Sequence, residues 1–334
     1  MKKIIGAIVV LIPIVFLAAC GTSGGILGAG ENELKLAHNQ SLDHPVHKSL
    51  AEFGRLVEEK SDGEISVNIY ANGQLGSERE AIELTQTGAV DLAKVSASAL
   101  ESFESDYSIF SVPYVFEDYQ QFEEAMSNKE VTDRLYLQTE EIGFRALTYY
   151  NAGERNLYTK NREVKDVSDM NGLKVRVQPS QTSVGMIEAF GGVPTSMAYG
   201  EVYTALQAGV IDAAENNETA LVNNNHGEVA KYYMYTEHQI VPDMLIMNSA
   251  RFDRFSDEEQ EIIMEAAEES TIYHEDVWEQ TIKENTEIAK NEMNVQFVEV
   301  DKDSFIDSVQ EMHKEFAESE KTGEIYDLLK GAIE

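Results

Sequence analysis

Cysteine occurs once in the 334 residues, at Cys20, so no internal disulfide staples the chain. Basic residues are scarce: 26 lysines and arginines stand against 60 acids, a formal charge of −34. Nucleic acids and anionic lipid surfaces need clustered Lys and Arg, so both are excluded as partners. An anion binds here only where local arginines overcome that repulsive background. Catalytic signatures are missing too, with no nucleophile elbow, P-loop or zinc-protease helix motif. The histidines are scattered: His44 and His47 flank Pro45-Val46, and His274 precedes Glu275 and Asp276. Neither arrangement closes a metal-ligand pattern, and both read as solvated histidines. No cofactor or metal is expected.

The N-terminus does carry a signal. Lys2 and Lys3 precede the apolar "IIGAIVVLIPIVF", which Pro13 interrupts and which is short of the roughly 20 residues a spanning helix needs. Leu17-Ala18-Ala19-Cys20 resembles the lipobox of bacterial lipoproteins, in which the cysteine becomes the lipidated N-terminus. An ordinary secretory signal with a chance cysteine is the alternative. Residues 1–20 are expected to be a lipoprotein signal peptide ending at Cys20, and the Gly-rich 21–32 a flexible tether. The protein is then extracytoplasmic and anchored to the cell membrane. Its body, in a chain that is 43% hydrophobic, is long enough for two separate cores.

From Glu33 onward strand and helix patterns alternate. "ELKLAHN" (33–39) reads as a strand, and Val46, Leu50, Phe53, Leu56 and Val57 share one helical face that Gly63 terminates. "EISVNIY" (64–70) alternates cleanly, a helix follows over 77–87, and "AVDLAKVSA" supplies a short strand. This βαβ rhythm predicts an α/β fold with a largely parallel sheet. "QTGAVDLA" (86–93) returns almost letter for letter as "QAGVIDAA" (207–214), each where a helix meets a glycine and a strand begins. Two lobes built from similar units follow, with 149–162 as the crossover. Residues 256–293, free of Gly and Pro and opened by Ser256, predict either one long helix along both lobes or two joined by a kink. A strand over 294–300 and two terminal helices complete the chain.

Anion recognition is the best chemical signal. In "GLKVRVQPS" (172–180), Leu173, Val175 and Val177 alternate with Lys174, Arg176 and Gln178. Arg176 thus lies at the C-terminal end of a strand, where open α/β sheets place their ligand crevice. Its guanidinium offers the paired donors that match a carboxylate. An edge-strand arginine paired with one of the chain's many acids is the competing reading. Arg155 is functional if it lies near the crossover, and otherwise an exposed loop charge. Tyr199 either stacks on a ligand ring or fills a core. Glu215, Asn216 and Asn217 follow the next strand, and Asn39 and Glu78 hold equivalent junctions in the first lobe. Together they describe one interlobe cleft.

With these residues in place, the run 172–217, "SDGEISVNIYANGQLGSERE", "VPYVF" (112–116) and "FSDEEQEIIMEAA" resemble, in order, the solute-binding proteins of tripartite ATP-independent periplasmic (TRAP) transporters of the DctP type. The resemblance covers nearly the whole mature chain. It implies a two-lobed periplasmic-binding-protein-like α/β fold with a ligand cleft between the lobes and one long helix spanning both. Lobe I is expected over 33–152 plus 242–281, and lobe II over 153–241 plus 282–334. It implies a ligand carboxylate on Arg176, assisted by Arg155, with Asn216, Tyr199, Glu78, Asn39, Glu215 and His238 as further contacts. The implied partners are an organic acid anion and the small and large membrane subunits of a TRAP permease. The binding protein itself is expected to be a monomer and not an enzyme. The stretch 226–243 is similar to members that bind hexuronates, whereas "ETALVNNN" departs from that subgroup, in which an aromatic-proline stretch is usual. Four-carbon dicarboxylates, 2-oxo acids, sialic acid, and a secreted sugar-acid-processing enzyme are the alternatives.

Overall fold

A computed structural model describes residues 32–333. The expected signal peptide, Cys20 and the tether up to residue 31 lie outside the described residues. The chain first builds β1 (Glu33–Ala37), α1 (Pro45–Lys60), β2 (Ser66–Tyr70), α2 (Glu78–Gln86), β3 (Leu92–Ser96), α3 (Ala97–Leu100), α4 (Tyr119–Ser127), α5 (Lys129–Leu137) and β4 (Phe144–Tyr150). Three residues later it enters a second sheet with β5 (Glu154–Thr159), β6 (Lys174–Val177), α6 (Gln181–Ala189), β7 (Val193–Ser196), α7 (Val202–Ala208), β8 (Ala213–Asn216), α8 (Thr219–Val222) and β9 (Tyr232–Ile240). It returns through β10 (Asp243–Asn248) and α9 (Ser249–Phe252) to α10 (Asp257–Asn291), and ends with β11 (Gln296–Glu299), α11 (Lys302–Ser308), α12 (Gln310–Glu318) and α13 (Gly323–Ile333).

The strand orders are β2-β1-β3-β10-β4 and β11-β9-β5-β8-β6-β7. Both sheets are mixed rather than largely parallel. β10 runs antiparallel to β3 and β4, and β5 antiparallel to β8 and β9. The antiparallel strands are those that carry the chain between lobes, and a strand arriving from the other sheet has no crossover helix to set it parallel. β2 is half-exposed along its length instead of alternating, because it is an edge strand.

Burial follows the sequence pattern along α1. The five predicted residues of α1 are all buried, and Gly63 (φ +83°) ends it by donating to the Glu58 carbonyl. The octapeptide repeat marks one device built twice. Gly88 and Gly209 take left-handed φ after their helices, and Asp91 and Asp212 then accept from the backbone N–H of Lys35 and Lys174 at 2.8 and 3.1 Å. β3 lies fully buried, with Ala93 and Val95 in one core and Leu92 in another.

α10 is a single helix of 35 residues, roughly 50 Å at 1.5 Å per residue. Ser256 and Glu259 form its capping box. Ile263, Ala266 and Ala267 enter a core of the first lobe and Ala289 a core of the second. Three terminal helices follow rather than two. Ile325 and Leu329 of α13 pack into a core of the first lobe, so the expected grouping of 282–334 with lobe II does not extend to this helix. Gly153, in the first crossover, has φ +62°, and a Cβ there would stand 3.0 Å from Trp278 Cζ2.

Candidate functional site

β7, β6 and β8 run parallel and present their C-terminal ends to the space between the sheets. Arg176, near the end of β6, is only 2% exposed while Val175 and Val177 fill a core. Its Nε and Nη2 both donate to the Met197 carbonyl, at 3.2 and 3.0 Å, and its guanidinium lies 5.5 Å from the Tyr199 ring centroid. Among the described residues it forms no salt bridge. β6 is interior, so neither half of the edge-strand, acid-paired reading holds. Burial pulls its pKa below the usual arginine value, against the attraction of Glu215.

Arg155 on β5 is buried rather than an exposed loop charge. Its Nε donates to Glu215 Oε2, Nη2 to the Glu215 carbonyl at 2.8 Å, and Nη1 to Asn216 Oδ1 at 3.0 Å. Burial pushes the Glu215 carboxyl up, but Arg155 and the His238 contact outweigh it and hold the pKa at about 2. Glu215 and His238 (3.5 Å apart) stand behind Arg155, outside the cleft lining. As ligand contacts they are misplaced, because Glu215 spends its carboxylate on Arg155. The Tyr199 ring faces Arg176, and its hydroxyl accepts from Asn216 Nδ2 and donates to Asn224. The Asn216 Oδ1 is occupied by Arg155 and Asn217, and its amide keeps one N–H for the cleft.

The first lobe faces this cationic side with acids. Glu78, first residue of α2, accepts from the Ser96 backbone N–H at 3.1 Å. Asp243, first residue of β10, pairs opposite Ser96. Lys94, 1% exposed, sits between them, with Asp243 Oδ2 at 3.1 Å, Asn39 Oδ1 at 3.4 Å and Glu78 Oε1 at 3.6 Å. Burial pushes the Glu78 carboxyl up, the Lys94 charge opposing. The cleft is tight, about 30 Å³, where Arg155, Asn216, Gln178, Asp243 and Trp278 converge, and opens to about 430 Å³ beside Asn72–Gly73, Gly76–Arg79 and Ala198–Gly200. Asn39, Glu78, Arg176 and Tyr199 line both parts.

A family model described as bacterial extracellular solute-binding protein, family 7 (DctP) matches residues 36–320. The chain belongs to the DctP family. It is 36% identical to a TRAP periplasmic solute-binding protein of Anaerococcus prevotii solved with bound α/β-D-glucuronate, over 90% of this chain and 98% of that one, with a TM-score of 0.87. A Bradyrhizobium TRAP protein in complex with α/β-D-galacturonate is 33% identical, covering 90% and 99% of the chains, with a TM-score of 0.86. The C4-dicarboxylate-binding periplasmic protein of Rhodobacter capsulatus is 30% identical over 241 residues, 72% of each chain.

In this DctP-family protein a good part of the cleft is made by residues other than those expected from sequence. Lys94 stands in the apolar strand "LAKVS" as Arg176 stands in "LKVRV", and the same anomaly would have found it. Asp243 and Trp278 gave no such signal; they reach the cleft only because β10 and α10 fold back between the lobes. His44 and His274 are buried and hydrogen-bonded rather than solvated. His44 Nδ1 accepts from the Val46 backbone N–H, capping α1, and its Nε2 lies 3.1 Å from Thr219 Oγ1 in the other lobe. His274 contacts Ser49 and the Asn151 carbonyl. Among the described residues no helix is long and apolar enough to cross a membrane.

Proposed function

We propose that this TRAP-type solute-binding protein captures a hexuronate or a related sugar monocarboxylate and delivers it unaltered to a membrane permease. One observation carries the reading. The cleft joins a buried arginine that has no carboxylate partner among the described residues to an opposite pole holding two carboxylates around one lysine. A ligand carboxylate supplies the counter-charge that Arg176 lacks, through two parallel N–H···O bonds. Hydroxyls at the far end donate to Glu78 and Asp243, whereas a second carboxylate there meets net negative charge. The uronates held by the two solved relatives have this polarity. Lys94 supports a second reading, a four-carbon dicarboxylate, if its ammonium outweighs the two acids.

On this proposal Arg155 shapes the carboxylate site beside Arg176, and Asn216 adds one amide donor. The lipobox supports anchoring through Cys20, and the self-contained cleft supports a monomer. Calorimetry with D-glucuronate, D-galacturonate, succinate, a 2-oxo acid and sialic acid tests the assignment, with recovery of the bound acid unchanged as a check against turnover. Tight binding of a uronate with none of succinate is the expected result. Succinate binding without uronate binding would reverse the assignment.

A further inference from the structure

One acid reaches across the cleft without lining it. Glu101 follows α3 in the first lobe, half-buried, between the cavity-lining Ala99 and Ser102. Its Oε2 accepts from the Ser180 hydroxyl, and its Oε1 accepts from the Thr182 backbone N–H and hydroxyl, both at 3.1 Å. Ser180 is the N-cap of α6, its hydroxyl oxygen accepting from the Ser183 N–H at 2.9 Å. A carboxylate of one lobe therefore completes the N-terminal turn of a helix in the other, where free N–H groups and the helix dipole favour negative charge. Ser180 follows Gln178 and Pro179, both cleft-lining, and lies four residues beyond Arg176 on the same strand exit.

We propose that Glu101 is a positioning residue for solute capture, a latch that holds the Arg176 strand exit against the first lobe and so contributes to affinity without touching the ligand. The His44–Thr219 contact also joins the lobes, beside Trp278 and α10 and near where the chain crosses. Glu101 acts at the strand exit. Three hydrogen bonds to one carboxylate across the lobe boundary favour the lobe-to-lobe arrangement that surrounds the solute. The apparent Kd scales inversely with the population of that arrangement. The latch draws on the uronate reading only for its probe.

The test compares wild type with Glu101→Ala and Glu101→Gln. Spin labels on Ala51→Cys of α1 and Glu188→Cys of α6, in a Cys20→Ser background, report the interlobe distance without ligand; calorimetry reports D-glucuronate affinity. Loss of the latch is expected to move the distance distribution to longer values. It is also expected to raise the Kd about 10- to 100-fold, with the melting temperature close to wild type and Glu101→Gln in between. An unchanged distance distribution and an unchanged Kd overturn the proposal. So does a lowered melting temperature with both unchanged, because Glu101 is then only a helix cap. If wild type binds no D-glucuronate, the uronate reading fails while the distance measurement still decides the latch.

Discussion

Replacing Arg176 by methionine separates what the residue does for binding from what it does for the fold. In the free protein its guanidinium is buried with two bonds to one carbonyl, a distant aromatic face, and no carboxylate partner among the described residues. Withdrawing such a charge from water costs several kcal/mol that the Met197 carbonyl and Tyr199 ring only partly offset. Methionine matches much of the volume and removes the charge, so Arg176→Met is expected to stabilise the free protein by about 1–3 kcal/mol. That corresponds to a melting temperature raised by roughly 2–5 °C for a chain of this size. Binding moves the other way. A ligand carboxylate left without its charged partner in a desolvated cleft loses about 2–5 kcal/mol, or 30-fold to several thousandfold in Kd. Scanning fluorimetry without ligand and calorimetry with D-glucuronate measure the two effects on one sample. Affinity within about threefold of wild type refutes the carboxylate role. A melting temperature several degrees lower refutes the claim that the site is held at a cost to stability.

Glu78→Gln or Asp243→Asn removes one negative charge from the far pole. Either is expected to improve binding of a sugar dicarboxylate relative to D-glucuronate by about tenfold, and an unchanged ratio in competition calorimetry would count against that pole as the discriminator. All seven histidines are held below their usual value of 6.5 by burial, His38 and His226 to about 3 and His274 to about 4. The neutral forms of the five deeply buried ones, His38, His44, His226, His238 and His274, contribute stability that is complete above about pH 6.5 and falls by at most about 1.4 kcal/mol per unit per group as pH drops toward the lowered values. Burial also raises Glu78, Glu154, Glu218 and Glu275, which oppose the trend but are fewer. Urea midpoints should therefore fall between pH 7 and 5, and a flat profile contradicts the buried-histidine account. Gly153→Ala places a methyl group against Trp278 in a left-handed turn, with an expected loss of about 1–3 kcal/mol in urea unfolding. Wild-type stability would show that the crossover relaxes freely.

The elements were legible where one periodicity held along a continuous segment. α1 declared its buried face, and the "QTGAVDLA" repeat announced a helix-glycine-strand device that the fold places once in each lobe. Strand direction was not legible, because it depends on which sheet a strand joins after a crossover: β5 opens the second sheet, and β10 returns to one begun by earlier strands. The same non-locality hid Asp243 and Trp278. Arg176 was visible because a charge in an apolar strand breaks a local rule, and Lys94 broke that rule as clearly. Glu215 and His238 were found in the right neighbourhood and given the wrong task. Position along β8 and β9 fixes where they lie, but only the arrival of Arg155 from β5 decides what the Glu215 carboxylate does.

That distinction bears on how the cleft works. Two arginines of like charge share one buried space, and each raises the cost of the other. Glu215 neutralises Arg155, which then holds the Asn216 amide, so the first arginine becomes a fixed part of the wall. Arg176 is left as the cleft arginine without a carboxylate partner among the described residues, which is what the proposed ligand supplies. Had Glu215 been placed to reach both guanidiniums, the site would be satisfied when empty and a ligand carboxylate would compete with a protein one. On the proposed reading, a strongly acidic protein binds an anion by keeping its described carboxylates out of salt-bridge reach of one guanidinium, and β5, antiparallel to both β8 and β9, brings Arg155 to Glu215 and so commits that carboxylate elsewhere.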